Sequence, residues 1–183
     1  MKRNLLVLFA VLAFGFGNVF AQHDADGPGK DLPGVTVKDL EGNVINTADF
    51  DNDGKPIVIS FWATWCKPCI LELTTIADDY EDLVDETGVK LIAISIDDAR
   101  NQAKVAPFVT GRDWEYEVYI DGNQDFKRAL SVTNVPHTFV LDGNKKIVWQ
   151  HPGYQPGDEE ELYELLGEMA GDHAEEPGTD GEG

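Results

Sequence analysis

The sequence is poor in cysteine, methionine and positive charge. Its 183 residues hold two Cys, two Met and 14 Lys plus Arg, against 34 Asp plus Glu. Two cysteines cannot staple a small disulfide scaffold. A structural zinc site normally takes four ligands, and no second Cys pair exists to complete one. The formal charge of −20 excludes a nucleic-acid binder, because every phosphate contact would work against a like-signed field. The same field argues against an anionic membrane surface. With 18 Gly and 9 Pro the chain is not collagen-like, and 42% hydrophobic residues is too many for wholesale disorder. Leu5 to Phe14 is an unbroken apolar run of ten residues, short of the ~20 a membrane-spanning helix needs. What remains is an acidic soluble protein with one ordinary domain.

The ends read differently from the middle. Lys2 and Arg3, the apolar run, and Val19 and Ala21 at its close have the layout of a secretory signal peptide with cleavage after Ala21. Gly15, Gly17 and Asn18 interrupt any longer span, and no Cys at the boundary could take a lipid. A membrane association is therefore expected only if this leader is kept. Losing Lys2 and Arg3 takes the charge from −20 to −22. Residues 22–30 read as a flexible lead-in, 31–170 as the folded domain and 171–183 as an acidic disordered tail. An exported chain meets an oxidising compartment, where the redox state of both cysteines can change.

Within the domain, strand and helix patterns alternate. Val35 to Val37 and Val44-Ile45, split by Glu41-Gly42-Asn43, form a hairpin. Ile57 to Ala63 and Val89 to Ile96 are short apolar runs of buried central strands. Between them, Ile70, Leu73, Ile76, Ala77, Tyr80, Leu83 and Val84 recur at helical spacing from Pro68 to Val84, and Gly88 stops the helix. Helices are expected over Asn101–Thr110 and Gln124–Leu130, and a strand over Tyr116–Ile120. A hairpin of Thr138–Leu141 and Lys146–Gln150 follows, then a last helix over Glu160–Ala170. This alternation makes an α/β domain with a mixed sheet.

The chemistry is concentrated in Phe61-Trp62-Ala63-Thr64-Trp65-Cys66-Lys67-Pro68-Cys69. A Cys-x-x-Cys pair that ends a buried strand and opens a helix puts the first sulfur at the helix N-terminus. Free N–H groups and the positive end of the dipole stabilise a thiolate there. The thiolate attacks disulfides, and the second cysteine is close enough to displace the partner. Pro68 suits the first turn, where its missing N–H is no loss. A structural disulfide of this size would constrain little of the unfolded chain.

With Val135-Pro136 about seventy residues on, this segment resembles the thioredoxin superfamily. Together with the leader and the run from Gly54 to Cys66, it is similar to the exported TlpA/ResA-like thiol–disulfide oxidoreductases. The resemblance covers roughly residues 32–168. It implies a thioredoxin fold, a central mixed sheet flanked by helices, with an N-terminal β-hairpin and a strand–helix insert around Ile96 to Tyr119. It implies Cys66 as nucleophile, Cys69 as resolving thiol and Pro136 as a cis-proline whose loop faces them. Val135 would touch the sulfurs, and Trp65, Lys67, Pro68, Val135 and Pro136 would meet the substrate. Glu72, one helical turn beyond Cys69, is the carboxyl the resemblance associates with proton handling. The expected activity is reduction of disulfides in client proteins, apocytochrome c among them, recharged by a membrane thiol donor and needing no cofactor or metal.

Two departures stand out. Cytosolic thioredoxins carry a buried acid six residues before the first Cys, where this chain has Ser60. His137 follows the proline, where it tunes the thiolate, binds substrate, or points along the strand away from the sulfurs. Trp62 and Trp65 are expected to form an apolar collar, Asp97-Asp98 a helix cap, and Asp49-x-Asp51-x-Asp53-Gly54 a turn. A peroxiredoxin-like peroxidase is the alternative enzyme, but its upstream Pro and Thr positions are Ile59 and Ala63 here. A metal-delivery module using Cys66, Cys69 and His137 is the alternative from another class.

Overall fold

The structure, a computed structural model, describes residues 29–174. The leader at 1–21, most of the lead-in and the tail beyond Ala174 lie outside the described residues.

Two doubly buried strands form the centre. β3 (Ile57–Trp62) is buried at every position, and β4 (Lys90–Ser95) at every position after Lys90. They pair in parallel, from Ile57 opposite Lys90 to Trp62 opposite Ser95. A parallel pair needs a long crossover, and α1 (Lys67–Thr87) provides it. β5 (Glu117–Ile120) adds in parallel on the far side of β4. On the other flank, β6 (His137–Leu141) runs antiparallel to β3, and β7 (Ile147–Pro152) antiparallel to β6. The hairpin of β1 (Thr36–Lys38) and β2 (Val44–Asn46) joins β5 through Lys38 and Ile120. The resulting mixed sheet has the order β2-β1-β5-β4-β3-β6-β7, so β3, whose end leads into the cysteines, sits inside it.

α1 buries Cys69, Glu72, Leu73, Ile76, Leu83 and Thr87, the inward stripe its periodicity implies. It ends at Gly88, where φ is +66° and the N–H bonds Val84 O at 2.8 Å; only glycine takes that conformation without strain. α4 (Glu159–Ala174) carries the buried Leu162 and Leu166 and packs on α1. α2 (Val105–Thr110) and α3 (Asp125–Ala129) connect β4 to β5 and β5 to β6.

Several boundaries differ from the sequence expectation. The helix expected from Asn101 begins as a tight 3-10 turn over Gln102–Lys104 and becomes α2 only at Val105. Pro107, the third residue of α2, falls in the first turn, where no intrahelical N–H is required. α4 continues to Ala174, past Gly171 where the tail was expected to begin. The end of the lead-in is tied down: Gly29 N–H donates to Ile147 O, Ile147 N–H donates to Lys30 O at 3.0 Å, and Asp31 bridges to Lys146. β7 is an edge strand, and this segment pairs backbone groups that the edge would otherwise leave open.

Candidate active site

The last turn of backbone after β3 delivers Cys66 to the first position before α1. Cys66 caps the helix, and Cys69 N–H points at its sulfur from 3.3 Å. A donor of this kind, with the helix dipole behind it, favours a thiolate on Cys66. The two sulfurs are joined as a disulfide. Cys69 is fully buried and Cys66 nearly so.

The Val135–Pro136 peptide is cis, as the resemblance implied. Val135 O lies 3.7 Å from Cys66 Sγ, which sets the proline loop against that sulfur. Around them Lys67 and Pro68 are exposed, and Trp65 is 61% exposed. The expected collar is therefore only half there. Trp62 is fully buried, packed against Phe108 and Trp114 at ring-centre distances of 5.5 and 5.2 Å. β3 is covered on both faces, so Trp62 belongs to the core. Trp65 lies past the strand end and stays outside.

Glu72 is not a solvated helix residue. It is 5% exposed, receives Thr138 Oγ1–H on Oε1 at 2.7 Å and Ser60 Oγ–H on Oε2 at 3.3 Å. The two hydroxyls are 3.2 Å apart. Ser60, the position that lacks an acid, thus has a carboxyl beside it that arrives from α1. Burial pushes Glu72 up to about 7, against the pull of the Thr138 and Ser60 hydrogen bonds; the charges of Asp158 and Glu159 push the same way as burial. A carboxyl of this kind changes protonation near neutral pH.

His137 stacks on Phe139 at 4.5 Å, and its Nε2 lies 3.1 Å from Gln150 Oε1. Thr138, its neighbour on β6, points to Glu72, so alternation sends His137 to the opposite face. Burial holds its imidazole below the usual range.

Asp97 was expected as a helix cap and does something else. It is fully buried and ties down the segment before Cys66. Thr64 N–H donates to Oδ2 and Thr64 Oγ1–H to Oδ1, both at 2.8 Å, and Ser95 Oγ–H donates to Oδ2 at 2.9 Å. Only Asp98 caps a turn, accepting Arg100 N–H. Among the described residues, no cluster of three or more His, Cys, Asp and Glu is arranged to hold a metal ion.

The AhpC/TSA family model matches residues 28–150. The thiol-disulfide oxidoreductase ResA of Bacillus cereus is 31% identical over 172 residues, 89% of this chain and 96% of that one. The chain belongs to the ResA-like thiol–disulfide oxidoreductases. A thioredoxin-like protein from Porphyromonas gingivalis, known from its solution structure, is 50% identical, with a TM-score of 0.71 over 77% of this chain and 92% of its own. A DsbE-type thiol:disulfide interchange protein from Chlorobium tepidum shares the fold, with a TM-score of 0.68 at 24% identity over 78% of this chain and 97% of its own. The mixed sheet and its flanking helices are thus a thioredoxin fold. In this ResA-like oxidoreductase, Ile59 and Ala63 stand where a peroxidase would need Pro and Thr, and both are buried core residues.

Proposed function

We propose that this ResA-like protein is an exported reductant of protein disulfides. The observation that carries the reading is Cys66 capping α1, with Cys69 N–H on its sulfur and the Val135 carbonyl facing it. In the reducing direction, the Cys66 thiolate attacks a client disulfide and one client thiolate leaves. Glu72 takes the Cys69 proton. The Cys69 thiolate then attacks Cys66 Sγ, the second client thiolate leaves, and the enzyme ends as the disulfide. Two electrons have passed to the client, whose two sulfurs take up protons.

Trp65, Lys67 and Pro68 would form the exposed rim on which a client chain rests, and Val135-Pro136 would offer it backbone hydrogen bonds. The leader-like residues 1–21 support export. An oxidising compartment already supplies oxidising power, which favours a reductive role recharged by a membrane thiol donor. The Cys-x-x-Cys-His motif of apocytochrome c is the client class the family suggests.

The test uses the reduced protein without its leader and a peptide carrying an oxidised Cys-x-x-Cys-His motif. The expected result is two peptide thiols released per protein oxidised, a trapped mixed disulfide with Cys69→Ala, and no reaction with Cys66→Ala. Full activity of the Cys66 variant would refute the mechanism.

A further inference from the structure

A client resting on Trp65 and the proline loop covers the face through which Cys66 meets solvent. Glu72 is buried beneath that face, and a proton taken from Cys69 stays on it unless a path to solvent exists. On the other side of Glu72, a small cavity lies between α1, β6, β7 and the segment leading into α4. Glu72, Thr138, Trp149, His151, Tyr154, Asp158 and Glu159 contribute to its walls, and it has about 10 Å³ of room for a water centre. That is about the room one water needs, and the walls supply the polar partners such a water requires.

The polar groups form a graded route outward. Thr138 donates to Glu72 Oε1 and is paired directly across the β6–β7 ladder with His151. Cross-strand partners on one face hold their side chains next to each other. His151 Nε2 lies 3.4 Å from Asp158 Oδ2, and both side chains are 33% exposed. Trp149 stacks on the imidazole at 5.7 Å and fixes its plane. Tyr154 is committed elsewhere: its hydroxyl donates to Glu159 Oε2 at 2.8 Å. The titratable groups around Glu72 are thus His151 from β7, Tyr154 and Asp158 from the connecting segment and Glu159 from α4, with Tyr116 close enough to feel its charge from outside the cavity. Among them imidazole is the side chain suited to taking a proton on one nitrogen and releasing one to water.

We propose that Glu72 exchanges its proton with solvent through this rear cavity, with His151 as the proton carrier at its mouth and Asp158 as the residue that positions the imidazole. The proposal rests on the reading of Glu72 as proton acceptor for Cys69. The proton passes from Glu72 to the cavity water or the Thr138 hydroxyl, on to His151, and then to bulk water. Glu72 returns to carboxylate, and no electrons move. The route stays open while a client occupies the front.

The experiment is oxidation of the reduced protein by the oxidised Cys-x-x-Cys-His peptide in weakly buffered solution free of imidazole, with proton release to solvent read by a pH-indicator dye and disulfide formation read in parallel. For His151→Ala the expected loss in the rate of proton release is about tenfold, part of what a positioned proton-transfer group contributes. Free imidazole should restore the rate in a saturable way, and the reduction potential should not change. His151→Gln, which keeps a polar side chain but cannot carry the proton, should show the same loss and covers the case in which the alanine variant fails to fold. A rate within about twofold of the unsubstituted protein, or a loss that imidazole leaves untouched, would overturn the proposal. Glu72→Gln run alongside separates the two ideas. If it is slow while the His151 variants are fast, only the route fails. If Glu72→Gln itself is fast, the reading of Glu72 fails and the route falls with it.

Discussion

Glu72 and Thr138, separated by 66 residues, meet at 2.7 Å inside the domain. The helix that Cys66 caps supplies the carboxyl, and the strand that begins just after Pro136 supplies the hydroxyl. The two parts of the active site are therefore linked underneath as well as at the sulfurs. Thr138 and Ser60 hydrogen-bond the carboxyl without bringing a positive charge to it. That leaves burial as the largest influence on its protonation.

The pH dependence of stability follows. The Glu72 carboxyl holds its proton up to about pH 7 in the folded protein, against an ordinary value of 4.5. Between these values the folded chain carries the extra proton, so stability falls as pH rises through the window. Below and above it Glu72 adds no slope. The size is about 3 kcal/mol over the window. Urea unfolding of the oxidised protein should show that decline, and Glu72→Gln should lack it. Parallel curves for the two proteins would contradict the burial argument.

Asp97 should matter to stability more than to the chemical step. Asp97→Ala strips partners from the Thr64 N–H, the Thr64 hydroxyl and the Ser95 hydroxyl. A loss of about 3 kcal/mol is expected for buried bonds to a charged acceptor, lowering Tm by roughly 6–12 °C. Calorimetry of Asp97→Ala and Asp97→Asn checks this, with the asparagine variant losing less. An unchanged Tm in the alanine variant would remove Asp97 from the account.

Trp65 is the exposed aromatic beside the sulfurs. Trp65→Ala should slow reaction with the disulfide peptide by about tenfold, the scale of one exposed aromatic contact in a docking surface. Reaction with a small aromatic disulfide that does not reach the rim should change little. Equal effects on both substrates would mean that Trp65 acts on the sulfurs themselves.

What the sequence made legible was whatever a short stretch of chain decides. Cys66 at the helix start, Pro68 in the first turn, the stop at Gly88 and the burial of β3 and β4 all follow from local patterns. So does Glu72 lying a turn from Cys69. Thr138 was not legible as its partner, because their meeting depends on how β6 registers against β3. Asp97 failed for the same reason. The parallel register places Trp62 opposite Ser95, and that brings Thr64 beside Asp97 from 33 residues away. Trp62 was misplaced because a strand buried on both faces has no polar alternation to show which way it points.

The hairpin tip between β6 and β7 tests the packing away from the active site. A Cβ built on Gly143 would lie 1.9 Å from Gly54 O and 2.7 Å from its carbonyl carbon, so the turn at 51–54 would have to move. Gly143→Ala should cost about 1–3 kcal/mol and lower Tm by roughly 2–12 °C. Disulfide turnover at 25 °C should stay as it was. A variant as stable as the parent would show that the two turns do not press on each other.

The reductive role is tested most directly by the reduction potential of the Cys66–Cys69 pair, equilibrated in defined thiol buffers and followed by tryptophan fluorescence. The expected value is near or below roughly −250 mV, in the range of dithiol reductants. A value near roughly −120 mV, like that of a strong disulfide-forming oxidant, would contradict it.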